Sequence, residues 1–374
     1  VAIADRIGFP VLVRPSFVLG GRGMMIVYND EELRHYIRNA ADVAPDRPIL
    51  VDRFLENATE VDVDCISDGE TSVVGAIMEH IEQAGIHSGD SACVIPSFSL
   101  SEKILAEILA GAKALAKELE VKGLMNIQFA VKDDELYVIE VNPRASRTVP
   151  FVSKSIGVPL AKLAAKIMVG EKLVDLGYTT EIMPPCFCVK EAVFPWGRFP
   201  GIDIVLGPEM KSTGEVMGAD KDLGMAYAKA QISAFNPLPK KGNVFFSVND
   251  RDKERAVPVA RELAEIGFQI HATGGTYKRL KAEGIEVNRL YKLAEQKRPN
   301  VIDMMKNGDI DFIINTPSGH EAREDEVKIR SGAVQHKISH CTNLSSAEAT
   351  VKAIRSLQEK ELTVTSLQEH HGLV

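Results

Sequence analysis

Two periods organise the apolar positions of this chain. In its first third, short runs with an apolar residue at every second place predict strands, because side chains of an extended backbone point to alternate faces. Residues 59–67 show this pattern, and the short runs 9–14, 24–28, 49–54 and 71–80 also read as strands. Gly20-Gly21-Arg22-Gly23 lies between the first two and predicts a hairpin with a mobile glycine-rich tip. Residues 30–39 (with Asp30 as N-cap), 100–119 and 158–168 repeat every three or four places and predict helices. Residues 79–93, rich in Gly, His, Ser and acids, fit neither period and are expected to be irregular. Residues 123–132 and 135–142 flank the turn Lys132-Asp133-Asp134 and predict a strand–turn–strand pair.

Composition shifts at residues 236–242, Asn-Pro-Leu-Pro-Lys-Lys-Gly, a linker signature. Beyond it, strands at 244–248, 269–272, 286–290 and 312–316 alternate with helices at 252–266, 277–283 and 302–307, before a last helix at 345–358. Such alternation predicts a doubly wound parallel sheet. Two domains are therefore expected, residues 1–235 and 236–374.

A length of 374 residues with 45% hydrophobic and 26% charged positions suits two soluble globular domains. A net charge of −8 without a clustered basic face argues against nucleic-acid or acidic-membrane partners. No apolar run approaches the roughly 20 residues of a membrane span, and no signal peptide is visible, so a cytoplasmic protein is expected. The opening Val-Ala-Ile-Ala-Asp-Arg-Ile-Gly reads as helix turns stopped by Gly8, so further residues are expected upstream. Cys65, Cys93, Cys186, Cys188 and Cys341 show neither zinc spacing nor a disulfide framework and are expected to be reduced thiols. Cys186-Phe-Cys188 alternates as a strand would, and Cys341 beside His340 is not by itself a nucleophile.

The strongest chemical signal is Glu-Leu-Tyr-Val-Ile-Glu-Val-Asn-Pro-Arg-Ala-Ser-Arg, residues 135–147. On a strand Glu140 and Asn142 share one face, Ile139 and Val141 point into a core, and Arg144 follows the strand end. Folding at Asp133-Asp134 brings Gln128 roughly opposite Glu140. One carboxylate and two amide oxygens suit Mg²⁺ held together with substrate phosphates, and arginines suit transferred phosphoryl oxygens. A salt-bridged strand end, Glu140 with Arg144, is the plainer alternative. The glycine cluster could lay N–H groups over phosphates or be an ordinary tight turn. No GxxxxGK[ST] loop occurs, which argues against a P-loop site. Arg14 could meet a phosphate and Glu60 ribose hydroxyls, or both could be surface ion-pair residues.

The stretches RPSFVLGGRGM, MEHIEQAGIHSGDSAC, GLMNIQFAV and VIEVNPRASRTVPFVSK resemble the ATP-grasp units of carbamoyl-phosphate synthase large subunits. The resemblance covers essentially the whole chain. It implies an N-terminally truncated second ATP-grasp unit, followed by a methylglyoxal-synthase-like effector domain. Gln128, Glu140 and Asn142 would hold Mg²⁺ or Mn²⁺. Asn142, Arg144 and Arg147 would act on the phosphoryl group and carbamate. Arg14, Glu60, Gly85, Ile86, His87 and Ser88 would bind ATP together with Gln128 and Glu140. Glu82, Asp90 and Glu191 match acidic positions that bind ornithine in some members. Phe194 and Asn343 depart from the usual aliphatic and threonine residues, which leaves that response open.

In the second domain, Lys253, Thr273, Gly274, Gly275, Thr276, Lys292, Asn315 and Thr316 would hold a nucleotide monophosphate such as UMP or IMP. The Thr273–Thr276 stretch is expected as a loop between strand and helix. His320-Glu321 replaces a basic pair, which weakens attraction for a phosphate. The resemblance further implies carbamoyl phosphate for arginine and pyrimidine synthesis, a small glutaminase subunit and an oligomer of large subunits. Two alternatives stay open: another ATP-grasp carboxylate ligase, and a chain that in isolation only binds an effector.

Overall fold

The computed structural model describes residues 1–15, 23–43, 48–317 and 324–372. Gly20, Gly21 and Arg22 of the expected hairpin tip, and the His320-Glu321 pair, lie outside the described residues. The chain divides into two compact units: Val1–Cys188 with Leu206–Lys211 and Thr365–Val374, and Val189–Val205 with Ser212–Val364.

The first unit opens with α1 (Ala2–Ile7) and a small antiparallel sheet in the order β2-β1-β3. Its strands are β1 (Val11–Pro15), β2 (Met25–Val27) and β3 (Ile49–Arg53), with α2 (Asp30–Val43) before the third. Val11 and Val13 alternate into a core with Ala4, Val27, Leu33 and Tyr36, as the period of two predicts.

A larger antiparallel sheet runs β6-β5-β4-β7-β8. It comprises β4 (Thr59–Asp68), β5 (Ser72–Gln83), β6 (Cys93–Ile95), β7 (Lys122–Lys132) and β8 (Glu135–Asn142). The helix α3 (Glu102–Glu118) covers one face. Its N-cap Ser101 accepts a hydrogen bond from Ile104 N–H at 3.3 Å. Ile104, Ile108, Ala112 and Ala116 recur every fourth residue and meet Val61, Val63, Cys65, Met125, Ile127 and Phe129 of β4 and β7. Each large aliphatic side chain buried there contributes about 1.5–3 kcal/mol. The opposite face carries the polar Glu60, Asp62, Asp64, Asn126 and Gln128 alongside Ile66 and Leu124. The unit is completed by α4 (Val149–Ile156), α5 (Leu160–Met168) and the short α12 (Leu367–His370).

β5 runs on to Gln83 and β6 starts at Cys93, so residues 79–83 are not irregular as expected. Polar side chains hide the strand period here because they are buried: Glu79, His80 and Glu82 are enclosed and matched by hydrogen bonds. The eight-residue α4, which opens on Val149-Pro150, was also not read from the sequence.

In the second unit, β9 (Phe187–Val193) neighbours β10 (Gly214–Asp220), and α6 (Leu223–Ser233) follows. A parallel sheet then runs β13-β12-β11-β14-β15. Its strands are β11 (Gly242–Ser247), β12 (Phe268–Thr273), β13 (Val287–Leu290), β14 (Phe312–Asn315) and β15 (Ser339–Cys341). The helices α7 (Lys253–Glu265), α8 (Gly274–Ala282), α9 (Val301–Asn307), α10 (Glu324–Gln335) and α11 (Leu344–Glu359) connect or follow them. This is the doubly wound sheet that the alternation predicts. One detail differs: α8 begins at Gly274, so Gly274, Gly275 and Thr276 form its first turn rather than a loop, with Thr273 as N-cap. The strand order reverses at β11, and ligands of such sheets bind at the carboxyl ends of strands beside that reversal.

Candidate functional site

Two rows of facing residues cross the main sheet of the first unit on the side away from α3. One row is Met78, Asp62, Gln128 and Glu140; the next is Ala76, Asp64, Asn126 and Asn142. The hairpin turn Asp133-Asp134 has positive φ at both residues, 52° and 59°, as a two-residue turn between twisted strands requires. From that turn the pairing proceeds one for one to Phe129↔Val138, then skips Ile139 so that Gln128 meets Glu140. Leu136 and Val141 both pack under α3 although five places apart, an odd separation that only an inserted residue permits. Ile139 is that residue. It is 49% exposed rather than in the core, because the bulge takes it out of the alternation.

The bulge turns Glu140 and Asn142 onto the face of Gln128. Asn142 donates from Nδ2 to Glu140 Oε1 at 2.8 Å, and Gln128 donates from Nε2 to Ser88 Oγ at 2.8 Å. Both amide nitrogens are thus engaged, and the acceptors that remain in this group are Gln128 Oε1, Asn142 Oδ1 and the second Glu140 oxygen. Three hard oxygens with one formal charge suit a magnesium-class ion that shares its coordination with phosphates.

Arg144 and Arg147 follow on an exposed loop. Asp64, only 1% exposed, ties that loop down. Its carboxylate accepts from Asn126 Nδ2 at 3.0 Å and from Ser146 Oγ and Thr148 Oγ1 at 2.7 Å each. Burial pushes the Asp64 carboxyl up to about 6, against the opposing pull of Thr148, Asn126 and Ser146. Arg147 lies against Met210.

Gly85, Ile86, His87 and Ser88 lie between β5 and β6, beside the Gln128 row. Gly85 has φ +106°, and a Cβ there would press on Ile26 and Phe54 at 3.2 and 3.3 Å, so glycine is required. Its N–H donates to Glu60 Oε1 at 3.1 Å. Burial raises the Glu60 carboxyl, partly offset by His80 and the Gly85 N–H. His87 N–H donates to Gly207 O at 2.8 Å, and its Nδ1 accepts from Gly89 N–H at 3.0 Å. Burial lowers the His87 imidazole, which favours a neutral pocket-wall residue over a charged one. Arg14 sits apart from this face in the small sheet, paired with Asp52 at 2.9 Å, both nearly half exposed.

The sequence reading took Glu60 alone from the alternating acids Glu60, Asp62 and Asp64 of β4. All three lie on the polar face. Buried His80 holds the middle one, with Nε2 3.1 Å from Asp62 Oδ2 and Nδ1 3.5 Å from Glu60 Oε2. Burial opposes charge on His80, but Cys93 and the bond to Asp62 outweigh it and hold the imidazole well above its ordinary value. The period-two acids were the available signal, and burial alone made them distinctive.

In the second unit a cavity of about 460 Å³ opens at the carboxyl ends of β11, β12 and β13. Lys253, Thr273, Gly275, Thr276 and Lys292 line it. A Cβ on Gly275 would collide with Lys253 Nζ, and one on Gly274 would come within 2.9 Å of Lys292 Cε. The two glycines therefore let both lysines close over the first turn of α8, where free N–H groups favour an anion. Asn315 and Thr316 are buried and face protein instead. Asn315 donates to Ser247 O at 2.8 Å and accepts from Arg330 at 2.9 Å, while Thr316 Oγ1 accepts from Asn249 N–H at 2.9 Å. Arg330, 1% exposed, also forks onto Asp203 at 2.6 and 2.7 Å. Asn249, Arg251 and Tyr291 line the cavity too and were not singled out in the sequence.

The antiparallel sheet with its polar face, and the parallel sheet with the cavity at its strand ends, define an ATP-grasp-type domain joined to a methylglyoxal-synthase-like one. Residues 1–176 match the family model for the carbamoyl-phosphate synthase L chain ATP-binding domain, and residues 255–342 match the MGS-like domain. The chain belongs to the carbamoyl phosphate synthase large-chain family. It is 51% identical to the C-terminal section of that large chain from Aquifex aeolicus, covering 99% of this chain and 73% of that one. It is 54% identical to the full large chain from Synechocystis, covering 99% of this chain but 34% of that one. In fold it is similar to the biotin carboxylase domain of Hydrogenobacter thermophilus 2-oxoglutarate carboxylase, solved with MgADP and bicarbonate. The TM-score there is 0.51 at 21% identity, over 63% of this chain and 58% of that one. Among the described residues no helix is long and apolar enough to cross a membrane.

Proposed function

We propose that the chain carries the carbamate-phosphorylating site of a carbamoyl-phosphate synthase, residues 1–235, and an effector-binding domain, residues 236–374. The observation that carries this reading is the row Gln128–Glu140 with Asn142 beside it, aimed by the bulge at Ile139. ATP would lie over this face, with Glu60 toward the ribose and Gly85, Ile86, His87 and Ser88 along its wall. Gln128, Glu140 and Asn142 would hold Mg²⁺ or Mn²⁺, which supplies charge neutralisation to the phosphate oxygens. Arg144 and Arg147 would reach the transferred phosphoryl group and carbamate, on a loop that Asp64 keeps in place. Arg14 would come to the phosphates from the small sheet. Phosphoryl transfer depends on such positioning and charge more than on an acid–base pair.

The cavity over α8 suits a phosphate monoester, and a nucleotide monophosphate is the proposed effector. The parent would be cytoplasmic, take ammonia from a small glutaminase subunit, form an oligomer, and serve arginine and pyrimidine synthesis. Because the chain spans about a third of full-length relatives, in isolation it is expected to bind effector without completing the reaction.

The test is the partial back-reaction, ADP plus carbamoyl phosphate giving ATP, in a full-length large chain that contains this segment. ATP formation abolished by Glu140→Ala here, with the first ATP-grasp unit intact, supports the assignment. ATP formation that persists unchanged in that variant removes it, and another ATP-grasp carboxylate ligase becomes the better reading.

A further inference from the structure

Three side chains that neither site uses lie together in the first unit. Cys186 precedes β9 and Cys188 is its second residue, and side chains two apart on an extended chain point the same way. The helix α12 brings His370 to them, with Nδ1 3.9 Å from Cys186 Sγ. A capping box between Ser366 and Glu369 fixes the start of that helix, and His371 Nε2, 2.6 Å from Lys154 O, anchors its end. One ligand atom from each of Cys186, Cys188 and His370 lies within 4.8 Å of the others. Zinc bonds of about 2.3 Å to sulfur and 2.0–2.1 Å to nitrogen set ligand atoms roughly 3.5 Å apart, so closure by about 1 Å completes such a set. The cysteines form no disulfide, and His370 Nε2 is buried without a well-formed hydrogen bond.

We propose that Cys186, Cys188 and His370 form a site for a single thiophilic d10 cation, Zn²⁺, with water in the fourth position, and that the ion clamps α12 against the start of β9. Two sulfurs and an imidazole exclude magnesium-class ions, which prefer oxygen. Binding displaces the two thiol protons to solvent and involves no change of oxidation state.

The test uses the whole chain, reduced and metal-free, titrated with Co²⁺ and then Zn²⁺. The expected result is a thiolate-to-cobalt charge-transfer band with tetrahedral visible bands, saturating at one ion per chain and displaced by Zn²⁺. Cys186→Ser, at a half-buried position that spares buried Cys188, and His370→Ala should each weaken zinc binding at least about 10-fold. Cys93→Ser should keep the band, because Asp62, His80 and Cys93 form a separate group. Zinc should also slow proteolysis at residues 360–366 in the wild type and not in His370→Ala. No charge-transfer band, a band that survives in Cys186→Ser and His370→Ala, or one lost in Cys93→Ser overturns the proposal.

Discussion

Gln128 faces Glu140 across β7 and β8, although the hairpin joining these strands would by itself place it opposite Ile139. The one-residue bulge turns a carboxylate that plain alternation would bury under α3 onto the polar face. Bulges do this where a side chain must be re-aimed.

Glu140→Gln is expected to lower metal-dependent ATP formation in the large chain by at least about 100-fold, the scale of losing one preorganised charge at a reacting phosphate. Because Glu140 is exposed, the thermal midpoint should not move. Comparing turnover with the unfolding midpoint of the same preparation separates the two effects.

Asp64 should act through the loop it holds. Asp64→Ala strands Asn126, Ser146 and Thr148, and stability should fall by about 2–4 kcal/mol, the cost of leaving buried polar groups unpaired. Ser146→Ala removes one donor only. It should cost about 1 kcal/mol while raising the KM for carbamoyl phosphate, since Arg144 and Arg147 flank it. Urea melts and steady-state kinetics measure the two quantities.

The same carboxyl gives a pH dependence with a definite sign. Its folded value is raised to about 6, so between the unfolded value and 6 the native state binds the extra proton. Stability from this group is present at acid pH and is lost as pH rises through that window, by up to about 3 kcal/mol. Asp64→Asn removes the slope. Denaturation midpoints of wild type and variant should therefore diverge between about pH 4 and 6.

Gly275→Ala tests the anion cavity. The added methyl meets the flexible end of Lys253, so the fold should be unharmed and α8 even stabilised by up to about 1 kcal/mol. Lys253 must leave the helix start, and affinity for a nucleotide monophosphate should drop about 10-fold, as for one lost charge-assisted contact. Calorimetric titration with UMP, IMP and inorganic phosphate reads this directly.

Asp222 caps α6 and reaches α11 in the second unit. It accepts from Met225 N–H at 2.8 Å, Ser356 Oγ at 2.6 Å and Lys360 Nζ at 2.7 Å. Burial opposes ionisation, but Lys360, Ser356 and the Met225 N–H outweigh it and pull the carboxyl down to about 2. Asp222→Ala should cost about 1–2 kcal/mol as a lost N-cap, most of it absent in Asp222→Asn. Thermal unfolding of the two variants distinguishes cap from charge.

Much of this was legible in the sequence because it depends on local period and turn chemistry. The alternation in 9–14 and 59–67, the every-fourth apolar residues of α3, the Asp133-Asp134 turn and the β–α alternation after residue 242 all appear where expected. The meeting of Gln128, Glu140 and Asn142 on one face was legible as well, because they differ in chemistry from their apolar neighbours. Elements with mixed composition were not. α10 buries Glu326 and Arg330 beside Ile329 and Ala333, so no apolar stripe announces it, while α4 carries its stripe of Val149, Val152 and Ile156 over only eight residues.

The sequence by itself determined the strand and helix periods, the turn residues, the family resemblance and the polar cluster of Gln128, Glu140 and Asn142. Tertiary structure alone decided the exact register and the meetings between distant segments. The bulge at Ile139 is set by the competition between core packing of Leu136 and Val141 and the register of the hairpin, a balance between strands that no single strand encodes. The use of Asp64 as a loop anchor, the commitment of Asn315 to Arg330 and the meeting of His370 with Cys186 join residues 82, 15 and 184 positions apart. Contacts at such separations form only when the whole unit closes, and local propensity carries no record of them.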